Sequence, residues 1–510
     1  MQDRVRNIVI VGGGTAGWMS ACYLNAVLAC RDPEEQVAIT LVESQDIGII
    51  GVGEATLAHI KRIMSTIGID ERDFMRSCSA SFKNAIKFVG FHRKDEVWWH
   101  PFTQLSHVNS FAIADLWLDA HRRGFPTSYA ETVTQDPHMC NRWLAPKRPE
   151  DKPYDGLVNY AYHIDTVLLG RYLRELGKSR GIRHVVDLVT DVGRDESGWV
   201  THVTTKEHGE LAGDLFIDCS GFRGLLINKA MEEPFISFND VLFNNAAVAM
   251  RVPNADGHTK IDPHTTCTAQ SAGWIWDIPL YGRRGVGHVY STDFMNNEDA
   301  ETTLRGYIGA GHEELEAKHI PMRIGRSRNV WVDNVVAIGL AGGFIEPLES
   351  TGIYLAELGL SMLREYFPSK SSMRSHARRY NQVMASFYDE IRDFICMHYC
   401  LTARDDSEYW RTCANHPAVP DSLREKLDMW RTRLPGENDL DYVAAQPAFS
   451  AISYIYVCLG MQHFPHDGPA AAAMSDANFA RAVFEDRKRA IDQVLQAAPP
   501  HWQILQQIHA

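Results

Sequence analysis

The hydrophobic pattern begins almost at the first residue. Val5–Val11 is a short apolar run, Gly12–Gly17 a glycine-dense turn, and Ala16–Ala29 a mostly apolar stretch of helical length. Val37–Glu43 is a second apolar run, and it ends in an acid. Strand, turn, helix and strand in that order predict a parallel sheet with crossover helices, because parallel neighbours need a long connection. The middle of the chain, roughly Asp187–Gly343, is rich in short β-like runs, among them His184–Val189, Trp199–Thr205, Asp214–Cys219 and Val330–Ile338. From about Gly352 the helical period dominates. Ser475 is placed to cap a helix in which Phe479, Val483, Phe484, Ile491, Val494 and Leu495 fall largely on one face. Pro435-Gly436 and Gly468-Pro469 punctuate the helices near the end. No internal repeat or low-complexity linker interrupts the pattern. The expected architecture is an α/β nucleotide-binding box with a β-rich middle over residues 1–355, and a mainly helical, substrate-side lobe over residues 356–510.

Composition narrows the class. At 510 residues the chain exceeds one minimal core. No run of about 18 apolar residues suggests a transmembrane helix, and with a strand pattern in place of a charged n-region and apolar h-region a signal peptide is not expected. The ten cysteines are scattered without CxxC pairs, as expected of reduced thiols in cytoplasm, and no metal site is expected. A net charge of −13 argues against a nucleic-acid surface, which needs a basic face.

The glycine turn carries the first chemistry. Gly12-Gly13-Gly14-Thr15-Ala16-Gly17 fits GxGxxG between a strand and a helix. Gly12 permits the sharp turn, Gly14 lets backbone approach a pyrophosphate, and Gly17 lets helix pack on strand. The helix start at Thr15 and Ala16 favours phosphate charge. Glu43 is placed to accept hydrogen bonds from ribose hydroxyls. Alone, such a turn is sometimes only a tight bend; strand, helix and terminal acid together indicate a dinucleotide site. Asp214–Gly221 looks like a second strand ending near a flavin. Val335–Gly339 looks like a third, which in flavoproteins normally ends in Gly-Asp; here Leu340 replaces the acid. No second GxGxxG is present, so a resident NAD(P)H domain is not expected. The box therefore reads as an FAD-binding one, of the glutathione-reductase or hydroxylase-like kind.

Four further segments point to one family. They are Gly51-Val52-Gly53-Glu54-Ala55-Thr56, Phe82-Lys83-Asn84-Ala85-Ile86-Lys87-Phe88, the WxWxIP pattern Trp274–Pro279, and the FxxPLxSxG pattern Phe344–Gly352. Taken in order they closely resemble the flavin-dependent tryptophan halogenases over most of residues 5–360, and Gly339-Leu340 also matches that family. The resemblance implies that reduced FAD and O₂ oxidise chloride or bromide to hypohalous acid. It further implies that a separate flavin reductase supplies FADH₂. Ile47–Thr56, including Ile50, Gly51, Val52 and Ala55, matches the flavin strap. Thr351 and Gly352 match the positions whose backbone N–H groups bind halide, and Lys83 matches the lysine that receives the oxidised halogen. Glu349 matches the acid near that lysine, with Glu346 as its competitor. By itself Lys83, in a helix-like segment, would read as a solvated surface lysine, and Lys87 keeps that reading. Trp274 and Trp276 are either core aromatics or the barrier that keeps substrate from the oxidising flavin.

On the substrate side, His100-Pro101-Phe102 matches the segment whose His and Phe flank an indole ring; loop packing is the plain alternative. Phe449 and Tyr454 fall in the matching C-terminal stretch. Halogenases acting on free tryptophan carry there a Tyr-Tyr pair, a Glu and a Phe-Trp. This chain has Asp441–Ser450 instead, with no acid between Tyr442 and Phe449. The expected substrate is thus a small electron-rich aromatic, an indole or indole derivative rather than free tryptophan. A flavin-dependent aromatic monooxygenase is the alternative enzyme, and a binding module that has lost its chemistry the alternative outside catalysis. A homodimer is left open.

Overall fold

The structure is a computed structural model that describes residues 3–29, 36–44, 51, 53–108, 111–254, 260–440, 447–466 and 477–510. The chain divides into two units, each built from three stretches: Met1–Ala80, Ile164–Asn239 and Met322–Asp389 form the first, and Ser81–His163, Asp240–Pro321 and Glu390–Ala510 the second. The boundary expected at 355/356 follows sequence order and coincides with neither unit. The units interleave because strands far apart in the chain pair in one sheet.

The first unit is built on a six-stranded sheet in the order Arg183–Val186, Ala38–Glu43, Asn7–Val11, Leu215–Asp218, Val335–Ala337 and Trp331–Val332. Five strands are parallel, and the last turns back antiparallel. The helix Thr15–Val27 leaves the end of Asn7–Val11, as the apolar pattern predicts. Val9, Val11, Val42, Val185, Phe216 and Val335 share one apolar core, which explains why these strands read as near-continuous hydrophobic runs. The run Val330–Ile338 proves to be a hairpin rather than one strand, turning at Asp333 with φ 49.

The second unit carries a seven-stranded sheet in the order Lys318–Pro321, Ala246–Pro253, Arg283–Tyr290, Trp274–Pro279, His264–Ala269, Ala85–Val89 and Val97–Pro101. Only His264–Ala269 with Ala85–Val89 is parallel. On the helix Ala477–Ala497, Val483 and Phe484 enter a core with Ile113, Trp117 and Ile455, while Ile491 and Leu495 pack with Met139. The apolar face is as expected; its proposed cap Ser475, and the Gly468-Pro469 turn, lie outside the described residues. No helix among the described residues is long and apolar enough to cross a membrane, and every described cysteine is a free thiol.

Phe82–Phe88 is not helical. It forms the strands Ser81–Lys83 and Ala85–Val89, broken at Asn84, whose N–H donates to the Pro263 carbonyl at 2.7 Å. Nearly every residue of the segment is buried, so the two-residue alternation that marks a half-exposed strand is absent.

Candidate active site

In the first unit the glycine turn is shaped by close approach. Gly12 has φ +116, and a Cβ there would sit 2.2 Å from the Cys219 carbonyl oxygen; a Cβ on Gly17 would sit 1.8 Å from the Gly12 oxygen. Among the described residues nothing beyond its chain neighbours lies within 4 Å of where a Cβ on Gly14 would be, and the helix Thr15–Val27 begins there. Open space at a helix start, where N–H groups lack intrahelical partners, fits the diphosphate of a dinucleotide such as FAD. The Thr15 hydroxyl donates to the Thr166 carbonyl at 3.0 Å. Gly339, at φ +69, lies against Ala16, which brings the turn containing Leu340 to the same helix start.

Glu43 ends its strand, and His184 Nε2 donates to its Oε1 at 2.7 Å. Its other oxygen lies over Gly13, where a Cβ would come within 1.7 Å. His184 therefore holds the expected ribose acceptor against the turn, a role that no sequence motif announces. Gly51 and Ala55 are buried, whereas Ile50 and Val52 lie outside the described residues.

The turn Pro347–Glu349 leads through Ser350, at φ 61 and ψ 35, into the helix Thr351–Glu365, and Ser350 provides no side-chain cap. Thr351 is buried, and its hydroxyl has no hydrogen-bond partner among the described residues. Glu346 and Glu349 are both fully buried, so burial does not choose between them. A third acid faces this helix start: Glu54 Oε2 lies 4.0 Å from where a Cβ on Gly352 would be. Desolvation pushes the Glu54 carboxyl up to about 7, with the Thr166 side chain pulling the other way.

In the second unit, Lys83 is fully buried, with its ammonium 5.3 Å from the centre of the Phe102 ring. Opposite its strand, His163 bonds through one ring nitrogen to Ser81 Oγ at 3.2 Å and through the other to Thr265 Oγ1 at 2.9 Å. Burial, then the charges of Lys83, His264 and His501, push His163 well below the usual histidine range. Burial lowers His501 to about 4; its Nδ1–H donates to the Ile261 carbonyl at 2.8 Å and its Nε2 accepts from the Phe82 N–H at 3.4 Å. At pH 7 these imidazoles are neutral, so they add no positive charge beside Lys83.

Pairing of Ala85 with Pro101 and Ile86 with His100 carries His100 and Phe102 alongside this strand. The His100 ring lies 6.0 Å from Phe394, 6.5 Å from Phe449 and 5.9 Å from Tyr456. Phe394 stacks on Phe449 at 4.0 Å and meets Tyr454 edge-on at 4.8 Å, so Tyr454 sits one ring further back, buried. Sequence reasoning missed Phe394, because an aromatic on the long helix Met373–Cys400 reads as ordinary core. It also missed two acids. Asp136 is fully buried, takes hydrogen bonds from Thr103 Oγ1 at 2.6 Å and Gln135 Nε2 at 2.9 Å, and is pushed up to about 7 by desolvation. Glu390 accepts the N–H groups of Ala448 and Phe449, each at 3.1 Å, and burial raises it to about 6. Both sit near the middle or start of helices, where an acid normally faces solvent. Residues 441–446, which include most of the expected tryptophan-discriminating stretch, lie outside the described residues.

Trp274 and Trp276 share one face of their strand, both buried, with rings 6.2 Å apart. Trp276 packs over Gly287, whose missing side chain makes the room. Neither indole N–H has a hydrogen-bond partner among the described residues. Lys87 places its ammonium 5.5 Å from the Trp99 ring rather than free in solvent. Among the described residues no group of three or more His, Cys, Asp or Glu is placed to hold a metal ion.

Comparison with known proteins gives a consistent result. A sequence model of the family described as tryptophan halogenase matches residues 7–476. The chain is 40% identical over 521 residues to the 7-chloro-L-tryptophan 6-halogenase KtzR of Kutzneria sp. (strain 744), covering 98% of both chains. It is 40% identical over 504 residues to the tryptophan 6-halogenase SttH of Streptomyces toxytricini, covering 94% of this chain and 95% of that one. Among solved structures, Tar14, a tryptophan C-6 flavin-dependent halogenase from taromycin biosynthesis, superposes with a TM-score of 0.92 at 38% identity, over 99% of this chain and all of that one.

Proposed function

The chain belongs to the tryptophan halogenase family of flavin-dependent halogenating enzymes, and from that premise we propose that it halogenates an indole or indole derivative through Lys83. Bound at the glycine turn, reduced FAD supplies the electrons with which O₂ oxidises chloride or bromide to hypohalous acid, a separate flavin reductase delivering the FADH₂. Gly12, Gly14, Thr15, Ala16, Gly17 and Glu43 would hold the dinucleotide, with Ile50, Gly51, Val52, Ala55 and Leu340 along the flavin. The backbone N–H groups of Thr351 and Gly352 bind halide. Lys83 hydrogen-bonds the oxidised halogen or carries it as a haloamine, and Glu349 takes the proton released as the ring rearomatises. His100, Phe102 and Phe449 would enclose the ring, with Tyr454 behind them against Phe394. The observation that carries this reading is the fully buried Lys83 beside Phe102.

Free tryptophan brings two charges, and each costs several kcal/mol to desolvate unless matched. Tyr442–Phe449 contains no acid. Glu390, the acid beside this stretch, already accepts two backbone N–H groups. Indole avoids both desolvation costs and offers its most nucleophilic carbon, C3. Tryptophan itself is the second reading, favoured by the activities of the relatives named above and by Glu390, an acid that touches this stretch. The test incubates the protein with FAD, a flavin reductase, NADH and bromide, and compares kcat/KM for indole and L-tryptophan. Indole should be preferred by about a hundredfold or more, the ratio that about 3 kcal/mol for a single unmatched charge implies, with C3 product by NMR. Preference for tryptophan with a benzo-ring product overturns the indole reading, and the absence of any brominated product overturns the activity.

A further inference from the structure

Glu54 follows the glycines of the strap segment and has no role in the scheme above, yet its carboxyl oxygen lies 4.0 Å from the Cβ position of Gly352. Both residues belong to the first unit, and a Cβ on Gly352 would also meet the Phe344 ring at 3.7 Å. The helix Thr351–Glu365 starts there; its start has no side-chain cap hydrogen bond from Ser350, and the buried Thr351 hydroxyl has no hydrogen-bond partner among the described residues. A helix start attracts negative charge, and a carboxylate within reach is one way a protein supplies it. An ionised Glu54 and a bound halide would thus compete for one small positive end.

We propose that Glu54 is an internal competitor of halide, so that halide enters the Thr351–Gly352 site together with a proton taken up by Glu54. This rests on the halide site proposed above. The step balances simply: the halide anion arrives, one proton from solvent adds to a Glu54 carboxylate oxygen, and the local charge is unchanged. No covalent bond other than that O–H forms.

The sign follows from the direction of the shift. Glu54 titrates near 7 rather than near the usual carboxylate value of 4.5. Below that pH it is already neutral, and halide binds with no proton uptake. Above it, each pH unit should weaken halide binding about tenfold, since protonation must accompany binding. Other ionisable groups are carried by the elements around it: Asp165 at the cap of the helix bearing Thr166, Glu346 and Glu349 in the turn before Thr351, and Glu357 further along that helix. Burial holds Glu357 well above the ordinary range. These four are acids; on the neighbouring helix Arg62 sets its positive charge toward Glu357, while His59, stacked on Tyr354 at 4.9 Å, is held below the usual histidine range by burial.

The experiment is calorimetric titration of bromide into the FAD-saturated protein from pH 6 to 9, in buffers of different ionisation enthalpy, for wild type and Glu54→Gln. Wild type should take up no proton at pH 6 and about one per bromide at pH 8.5, with affinity falling about tenfold per unit above pH 7. Glu54→Gln should bind with a flat profile, equal to wild type at pH 6 and about tenfold tighter at pH 8. Because the wild-type proton count needs no variant, a poorly folded Glu54→Gln still leaves a decisive measurement. A flat wild-type profile without proton uptake overturns the proposal, as does a variant that keeps the wild-type slope. If neither protein binds bromide at any pH, the halide site itself is wrong, and this proposal falls with it.

Discussion

Gly14 separates ligand binding from folding more sharply than any other position in the glycine turn. Its backbone is extended, φ −72 and ψ −175, which any residue adopts, and a Cβ there meets no protein atom within 4 Å. Gly14→Ala should therefore leave stability within about 0.5 kcal/mol of wild type, as for an unobstructed surface change. If a pyrophosphate fills that space, the added methyl overpacks it, at a cost of about 1–3 kcal/mol. At 1.4 kcal/mol per tenfold, FAD affinity should drop by about 5- to 150-fold. Gly12→Ala makes the contrast. Its φ of +116 is closed to alanine, and its Cβ would lie 2.2 Å from the Cys219 oxygen, so the fold itself should lose about 3 kcal/mol or more. The assay pairs thermal melts of the FAD-free proteins with FAD titration followed by flavin fluorescence. Wild-type FAD affinity in Gly14→Ala, with an unchanged melt, would place the pyrophosphate elsewhere and refute the reasoning.

Lys83→Met, similar in length but without the amine, should stay folded and yield no halogenated indole, while hypohalous acid still escapes to a chemical trap; near-normal product would make Lys83 structural. Glu349→Gln should slow turnover by about 10²–10⁴-fold, the span of one acid–base contact, and unchanged kinetics would move that role to Glu346. Phe394→Leu should raise KM for indole by about three- to tenfold, the worth of about 0.5–1.5 kcal/mol of ring contact, with kcat little changed; an unaltered KM would detach Phe394 from the substrate. The isolated protein should show no NADH oxidation of its own, and rapid turnover without added reductase would contradict the need for a partner enzyme.

Much of the first unit was legible in the sequence because its signals are local. Parallel strands buried on both faces read as apolar runs, and the first and last glycines of GxGxxG report close approaches that only glycine tolerates, as the short distances at Gly12 and Gly17 show. The motifs around Lys83, Trp274 and Phe344 likewise lie in contiguous residues and pointed to the family before any fold was known. Other features depended on partners far along the chain. Phe82–Phe88 hid its strand character because burial on all sides erased the alternation. Phe394, Asp136 and Glu390 resemble ordinary helix residues until folding sets Phe394 on Phe449, Asp136 against Thr103, and Glu390 under the Ala448 and Phe449 N–H groups. Glu54 stood inside a recognised motif, but only the approach of Gly352, nearly 300 residues later, gives its carboxyl a competitor. Local sequence determines which backbone shapes and element types are available. Which charges are desolvated, and what each one faces, is decided by long-range packing, and that decides the chemistry.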